Sequence, residues 1–469
     1  MTDNLAELNH QPWEKHGRLT VAPDGSRLQH ADGTPFDWLG ETAWALHQNL
    51  PRGDVVAFLD DCVANRFTVI QLMSVNKWAL RDWKNHNGDE PYLDDTAWRL
   101  NPPYWRHLGW VIDEAAARGL HVLLVYGSPG RAVSDHGPIV RNAAEAYAYG
   151  RALGECFADK PNLIWSSGID VNPDDAQRIS PMGIEGWHAM AKGVFHGVTG
   201  TAEPGDPADW SAALMTYHTA GARTSSKWFH EAAWLSFNAA QIGLPPTDEL
   251  IRTFMEDRAR RPAKPVVNVE PWYEACDWGK SPVNDHEMRV QAYHSLLAGA
   301  CGFTYGHHNI YGFDSPVSAA DGDERNQWRS WRTRLDAPGR LQMRHLRAIM
   351  AELAGRRCEP MPELLTQGPN DSLITNVLTE RIAAAASADR KWFCVYSPKC
   401  RTFSVNLALV KGDQVKASWF NPRSGEPMVA GAFTTSGEQA FRPMGEPAEN
   451  HDWLLILESC PTGSRGGSC

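Results

Sequence analysis

The stretch Lys264-Pro265-Val266-Val267-Asn268-Val269-Glu270-Pro271-Trp272 decides how the rest of the chain is read. Residues 266–269 favour an extended chain, with three valines in four positions, and Pro265 and Pro271 punctuate the two ends. A short apolar run bounded in this way is expected to be a buried parallel strand. It delivers one carboxylate, Glu270, at its C-terminal tip, with the rings of Trp272 and Tyr273 just beyond. In a (β/α)8 barrel the chemistry sits at the C-terminal strand tips, so this carboxylate raises the question of seven further strands. Taken alone, the same Glu could as well cap the next helix or pair with an Arg.

Outward from this strand the chain alternates. Six β-rich runs precede it, at 36–40, 67–72, 121–125, 162–166, 213–216 and 235–238, and one follows at 302–306. Helical periodicity fills the gaps at 54–65, 104–118, 143–157, 182–198, 247–260 and 286–299, with Thr247 as an N-cap and a closing helix at 342–353. A hairpin around Pro23-Asp24-Gly25 opens the series. Eight alternations over about 320 residues predict an α/β fold, a (β/α)8 TIM barrel spanning 18–355. Residues 1–17 read as a poorly ordered leader. After Gly355 the helical pattern stops and short alternating runs begin, at 382–385, 392–396, 402–405, 415–420 and 453–457. They predict a C-terminal antiparallel β-sandwich over 360–459, followed by a flexible Gly/Ser-rich tail at 460–469.

Composition removes several classes of function. A net charge of −11 and a pI near 5.9 speak against a nucleic-acid partner, which needs a basic surface. No apolar run approaches the roughly 20 residues that span a bilayer, so no membrane partner is expected. The first 13 residues contain Asp3 and Glu7 and no apolar core of a secretory signal. The nine cysteines are scattered, odd in number and without a CxxC pair, so they read as reduced thiols of a cytoplasmic protein. The 20 tryptophans far exceed the usual share of roughly 1%. Their flat apolar faces suit stacking on sugars, although most such rings pack cores.

Asp170 and Glu270 close the fourth and seventh predicted strands. About 100 residues lie between them, three βα units of roughly 30 residues each, so both tips face one end of the barrel. Glycoside hydrolysis needs such a pair, one carboxyl protonated and one charged, in environments that push their proton affinities apart. The alternative is that Asp170 caps the turn at Asn172-Pro173-Asp174. Other tips offer donors, acceptors and rings for a hydroxyl-rich ligand: Glu41 and Trp44, Asn76 and Lys77, Tyr217 and His218, Gln241, Trp272 and Tyr273, and His307 with His308. Adjacent histidines point apart on an extended chain, so no metal is expected. Phosphate loops, dinucleotide fingerprints and nucleophile elbows are missing from the sequence, so no cofactor is expected.

Several of these stretches, in this order, resemble one family. They are Leu39-Gly40-Glu41-Thr42-Ala43-Trp44, the run from Asn162 through Gly168-Ile169-Asp170-Val171-Asn172-Pro173, Met215-Thr216-Tyr217-His218, the run from Trp234 to Gln241, Val267 to Glu274, and Gly302 to Gly306. Together they are similar to the apiosidase-like glycoside hydrolases. Ala417 to Gly425 resembles the collagen-binding-type β-sandwich that follows the barrel in that family. The resemblance covers about residues 18–458. It implies a retaining glycosidase acting on a branched or furanosidic pentose such as apiose, with Asp170 as acid/base and Glu270 as nucleophile. Two departures bear on the substrate: Ile169 replaces the second of two glycines before the Asp, and Glu41 stands where the family carries Asp. The competing readings are another sugar specificity on the same scaffold and a carbohydrate-binding protein without turnover.

Overall fold

The computed structural model describes residues 11–76, 79–80, 83–127, 140–168, 170–174, 182–201, 207–243, 248–277, 281–313, 330–367 and 377–460. Strands β1 (Leu19–Val21) and β2 (Leu28–His30) pair as the N-terminal hairpin. The next sheet contains β3 (Trp38–Thr42), β4 (Val69–Met73), β5 (His121–Val125), β6 (Leu163–Ser167), β7 (Met215–Tyr217), β8 (Arg223–Thr224), β9 (Asn238–Gln241), β10 (Val266–Asn268) and β11 (Gly302–Tyr305). Its order is β7-β6-β5-β4-β3-β11-β10-β9-β8. All pairs are parallel except β8 with β9. Without β8 these are the eight strands of the predicted barrel. The sheet curls shut where side chains replace the ladder: Ser236 N–H donates to Met215 O at 2.8 Å, Met215 N–H to Ser236 Oγ at 3.1 Å, and Thr216 Oγ1 to Phe237 O at 2.7 Å.

The helices are α1 (Pro12–His16), α2 (Leu46–Asn49), α3 (Arg52–Ala64), α4 (Pro102–Ala117), α5 (Ala143–Cys156), α6 (Gly183–Thr199), α7 (Ser226–Phe229), α8 (Glu249–Ala259), α9 (Asp285–Leu297) and α10 (Pro338–Gly355). Strand alternation sorts the wall into two apolar layers. Trp38, Val69, Leu123, Ile164, Ala239 and Val267 fill the barrel interior. Leu39, Ile70, Val122, Trp165, Met215 and Ala240 face the helices. This alternation sets which side chain at a strand tip can look into the mouth, unless a bulge interrupts it.

Four local expectations change. Residues 12–16, read as part of a poorly ordered leader, form α1, and its Trp13 packs edge-on against His121 with ring centroids 5.2 Å apart. Helix α10 begins at Pro338, four residues before the predicted start, because proline suits the first helical turn. Thr247, the expected N-cap, lies outside the described residues, and Asp248 occupies the cap position of α8. Among the described residues seven cysteines are free thiols, whereas Cys460, read with them as a reduced thiol, is disulfide-bonded.

The C-terminal strands are β12 (Glu359–Pro360), β13 (Leu365–Gln367), β14 (Ala383–Ala386), β15 (Trp392–Ser397), β16 (Phe403–Asn406), β17 (Gln414–Phe420), β18 (Pro427–Thr434), β19 (Glu438–Phe441) and β20 (Trp453–Ser459). They form a six-stranded sheet, β12-β14-β15-β20-β17-β18, and a three-stranded one, β13-β16-β19. Phe393, Val395, Val415, Ala417, Trp419 and Leu457 pack against Phe403, Val405 and Phe441 to make the sandwich core. The other face of β15 meets the barrel. Tyr396 stacks on Tyr293 of α9 at 4.9 Å, and Arg289 of α9 donates to both oxygens of Asp452 at 2.8 Å. Covered on both sides, α9 is buried all round, which explains why it shows little amphipathic pattern.

Candidate active site

Glu270 reaches the barrel mouth through a kink. Val267 and Val269 point inward from β10, so strict alternation would turn Glu270 toward the helices. Instead the N–H groups of Val269 and Glu270 both reach Ala240 O, at 2.9 and 3.3 Å. Two residues oppose one, as in a bulge, and the side chain is re-aimed.

Asp170 is aimed by the exit from β6. Gly168 has φ 73°, and a Cβ there would lie 2.3 Å from His218 O, so only glycine fits. Asp170 itself sits at φ 48°, a left-handed conformation that Asp tolerates better than most residues. The loop beyond is pinned to the end of β7. Tyr217 O–H donates to Val171 O at 2.9 Å, and Ala220 N–H donates to Asn172 Oδ1 at 3.1 Å.

The two carboxylates meet at one amide. Gln241 Nε2 donates to Glu270 Oε2 at 2.8 Å and to Asp170 Oδ1 at 3.2 Å. The bridged oxygens therefore lie within about 6 Å of each other, the sum of the two contacts. Glu270 has further donors. Tyr273 O–H donates to its Oε1, and His218 Nε2 stands 3.1 Å from its Oε2. Burial pushes the Tyr273 hydroxyl well above the ordinary phenol range, so it remains a donor. Trp44 Nε1 donates to Tyr273 Oη at 2.9 Å, and its ring meets His218 edge-on at 5.6 Å. Burial would lower the proton affinity of His218, but the bond and charge of Glu270, with the charge of Asp170, outweigh it and raise it. Two hydrogen-bond donors, Gln241 and Tyr273, and a histidine nitrogen at ion-pair distance suit a carboxylate that acts as an anion.

Six expected residues thus converge: Asp170, Glu270, Gln241, His218, Tyr273 and Trp44. Trp272 stands beside them, half-buried, with its ring where a Cβ on Gly243 would fall and its N–H held by Gln291 Oε1 at 2.9 Å. Asn76 follows β4, where the Gln48 amide clasps its backbone at 3.0 and 3.1 Å. Lys77 and Ile169 lie outside the described residues.

Three expected sugar contacts face the other way and are corrected. Glu41 shares the outward alternation of Leu39; it is fully buried and paired with Arg340 Nε of α10 at 2.8 Å. Its carboxyl is pushed up to about 7 by burial, against the pull of Arg340. Tyr217 packs outward among Trp187 and Phe229. His307 is buried near Arg334 and Arg340, which add to burial in holding its proton affinity down to about 3, and it accepts Asn309 N–H at 3.0 Å. The alternation that turns His307 away turns His308 toward Tyr311, at 5.9 Å. Tyr311, which sequence reasoning missed, packs against Tyr273 at 5.5 Å. A two-residue count from outward-facing Tyr305 would have favoured His308 over His307.

The chain is similar to known glycoside hydrolases. Residues 22–355 match the family model described as the apiosidase-like catalytic domain. Residues 369–458 match a model of a collagen-binding-like domain of a collagenase. A solved structure described as a glycoside hydrolase is 26% identical over 96% of this chain and 98% of its own, with a TM-score of 0.81. A family 5 glycoside hydrolase from Bacteroides vulgatus ATCC 8482 is also 26% identical, covering 96% of this chain and 95% of its own at TM-score 0.81. No curated protein matches.

Proposed function

The chain belongs to the apiosidase-like family of glycoside hydrolases, and we propose that it works by double displacement with retained anomeric configuration. The observation that carries this reading is the single Gln241 amide bonded to both Asp170 and Glu270. It brings one oxygen of each carboxylate within about 6 Å of the other, which favours the roughly 5–5.5 Å spacing of retaining enzymes over the roughly 6.5–9.5 Å gap in which inverting enzymes place a water.

In this mechanism Glu270, charged and held by Tyr273, Gln241 and His218, attacks the anomeric carbon. The bond to the leaving oxygen breaks, and Asp170 gives that oxygen its proton. Asp170 then takes a proton from water, which attacks the same carbon and releases Glu270. The proposed substrate is a plant-derived glycoside ending in, or branched with, an apiose-like furanosyl pentose. That specificity is supported by family membership. The Glu41 departure does not bear on it, because Glu41 faces Arg340 and not the mouth.

The test is a panel of aryl pentosides and hexosides, with proton NMR on the first-formed sugar. The proposal expects turnover of a furanosyl pentoside with retention. A first product of inverted configuration would overturn the mechanism, and turnover of hexosides alone would overturn the specificity.

A further inference from the structure

His218 lies at the tip of β7, almost wholly buried, and both of its ring nitrogens face oxygens. Nδ1 is 3.0 Å from Thr219 O. A backbone carbonyl can only accept, so Nδ1 carries a proton. Nε2 is 3.1 Å from Glu270 Oε2, close enough for an ion pair though off the axis of a straight hydrogen bond. A charged carboxylate also only accepts. With Nδ1 already protonated, a neutral ring would set the Nε2 lone pair against a carboxylate lone pair inside a buried site. The ring is therefore favoured as a cation.

The other groups facing His218 agree. Trp44 of the β3 loop presents a ring edge, and the loop after β6 brings the backbone at Gly168 and the charge of Asp170. Tyr273 reaches the same carboxylate through its other oxygen. Among the described residues these partners supply negative charge or neutral surface, and none is a competing cation.

We propose that His218 is a positioning residue that works as an imidazolium, its Nε2 proton being the counter-charge that holds Glu270 in line while Asp170 carries the acid proton. The proposal rests on the retaining reading above. It assigns the alkaline limb of the pH profile to His218 even when leaving-group protonation is not needed. The direction agrees with the raised proton affinity of the ring: the charge persists to a higher pH than in a free imidazole and is lost as pH rises through a value above the usual ~6.5. Once it is lost, two lone pairs face each other and the Glu270 carboxylate is displaced from its line of attack.

Two measurements test this on the full chain. The first is nitrogen NMR of wild-type protein labelled at the histidine rings, with His218 assigned by comparison with His218→Gln. The proposal expects both ring nitrogens protonated at pH 7 and a titration on the alkaline side. A neutral ring at pH 7 overturns it, whether or not the protein turns over any glycoside. The second is kcat/KM against pH on an activated aryl glycoside, whose leaving group needs no acid. Wild type should fall about tenfold per pH unit above the pH at which the ring titrates. His218→Gln presents an amide donor that does not titrate, so its profile should be flat there at a lower plateau. An unchanged alkaline limb in His218→Gln overturns the proposal. Failure of every glycoside would instead strike the underlying glycosidase reading, and the ring titration would still decide the state of His218.

Discussion

Gln241 Nε2 lies 2.8 Å from Glu270 Oε2, and the same nitrogen reaches Asp170 at 3.2 Å. Both hydrogens of the amide are thus committed to the two carboxylates. Gln241→Ala should leave the fold intact and lower kcat about 100-fold, with KM changing much less, because displacements near 1 Å at a reacting group have that effect. Gln241→Glu should be worse, since it adds a third acceptor where a donor is needed. Steady-state kinetics with thermal melts decide this. A KM change with unaltered kcat would make Gln241 a substrate contact and no brace.

Glu41 and Arg340 form a fully buried pair behind the site, and Asp61 shares the same guanidinium. Arg340→Met strands a carboxylate among apolar side chains and should destabilise the protein by about 3–5 kcal/mol. Glu41→Gln should lower the melting temperature without altering KM, as it never touches the sugar. A shift in KM on Glu41→Gln would restore it to the list of substrate contacts.

The sandwich should act through the barrel's stability. Asp452 is buried between Arg289, Tyr396 and Arg423. Asp452→Ala leaves Arg289 facing the interface without its bidentate partner, and a cost of about 3–5 kcal/mol is expected. Denaturant unfolding should show one transition that shifts as a whole. A variant in which the sandwich melts separately while the barrel keeps its activity would show the interface to be dispensable.

The barrel was legible because its strands are short, apolar and bounded by turns, and because alternation with helices leaves few other folds. That count put Asp170 and Glu270 at one end of the barrel but left each open to a capping role, and only the family resemblance gave them catalytic ones. Facing was harder to read. Glu41, Tyr217 and His307 have the polar chemistry of a sugar site but the wrong strand parity, whereas Glu270 has the wrong parity and is turned inward by the kink at Ala240. Strand β9 begins at Asn238 and not 235, since Ser236 closes the barrel through its hydroxyl and leaves the ladder. The edge strand β18 escaped notice because it is largely exposed and interrupted by Gly431, so it lacks the apolar alternation of a half-buried strand.

The division of labour between the two carboxylates is tested most directly with azide. Measure Asp170→Ala and Glu270→Ala on one aryl glycoside with a good leaving group, with and without azide, and read the anomeric configuration of the glycosyl azide by NMR. Asp170→Ala should complete the first step in part and then stall; azide, which needs no general base, should release a product of retained configuration. Glu270→Ala should have no activity of its own, and any azide product should be inverted, because azide then attacks the substrate directly. An inverted azide product from Asp170→Ala, or residual hydrolysis by Glu270→Ala, would contradict the assignment.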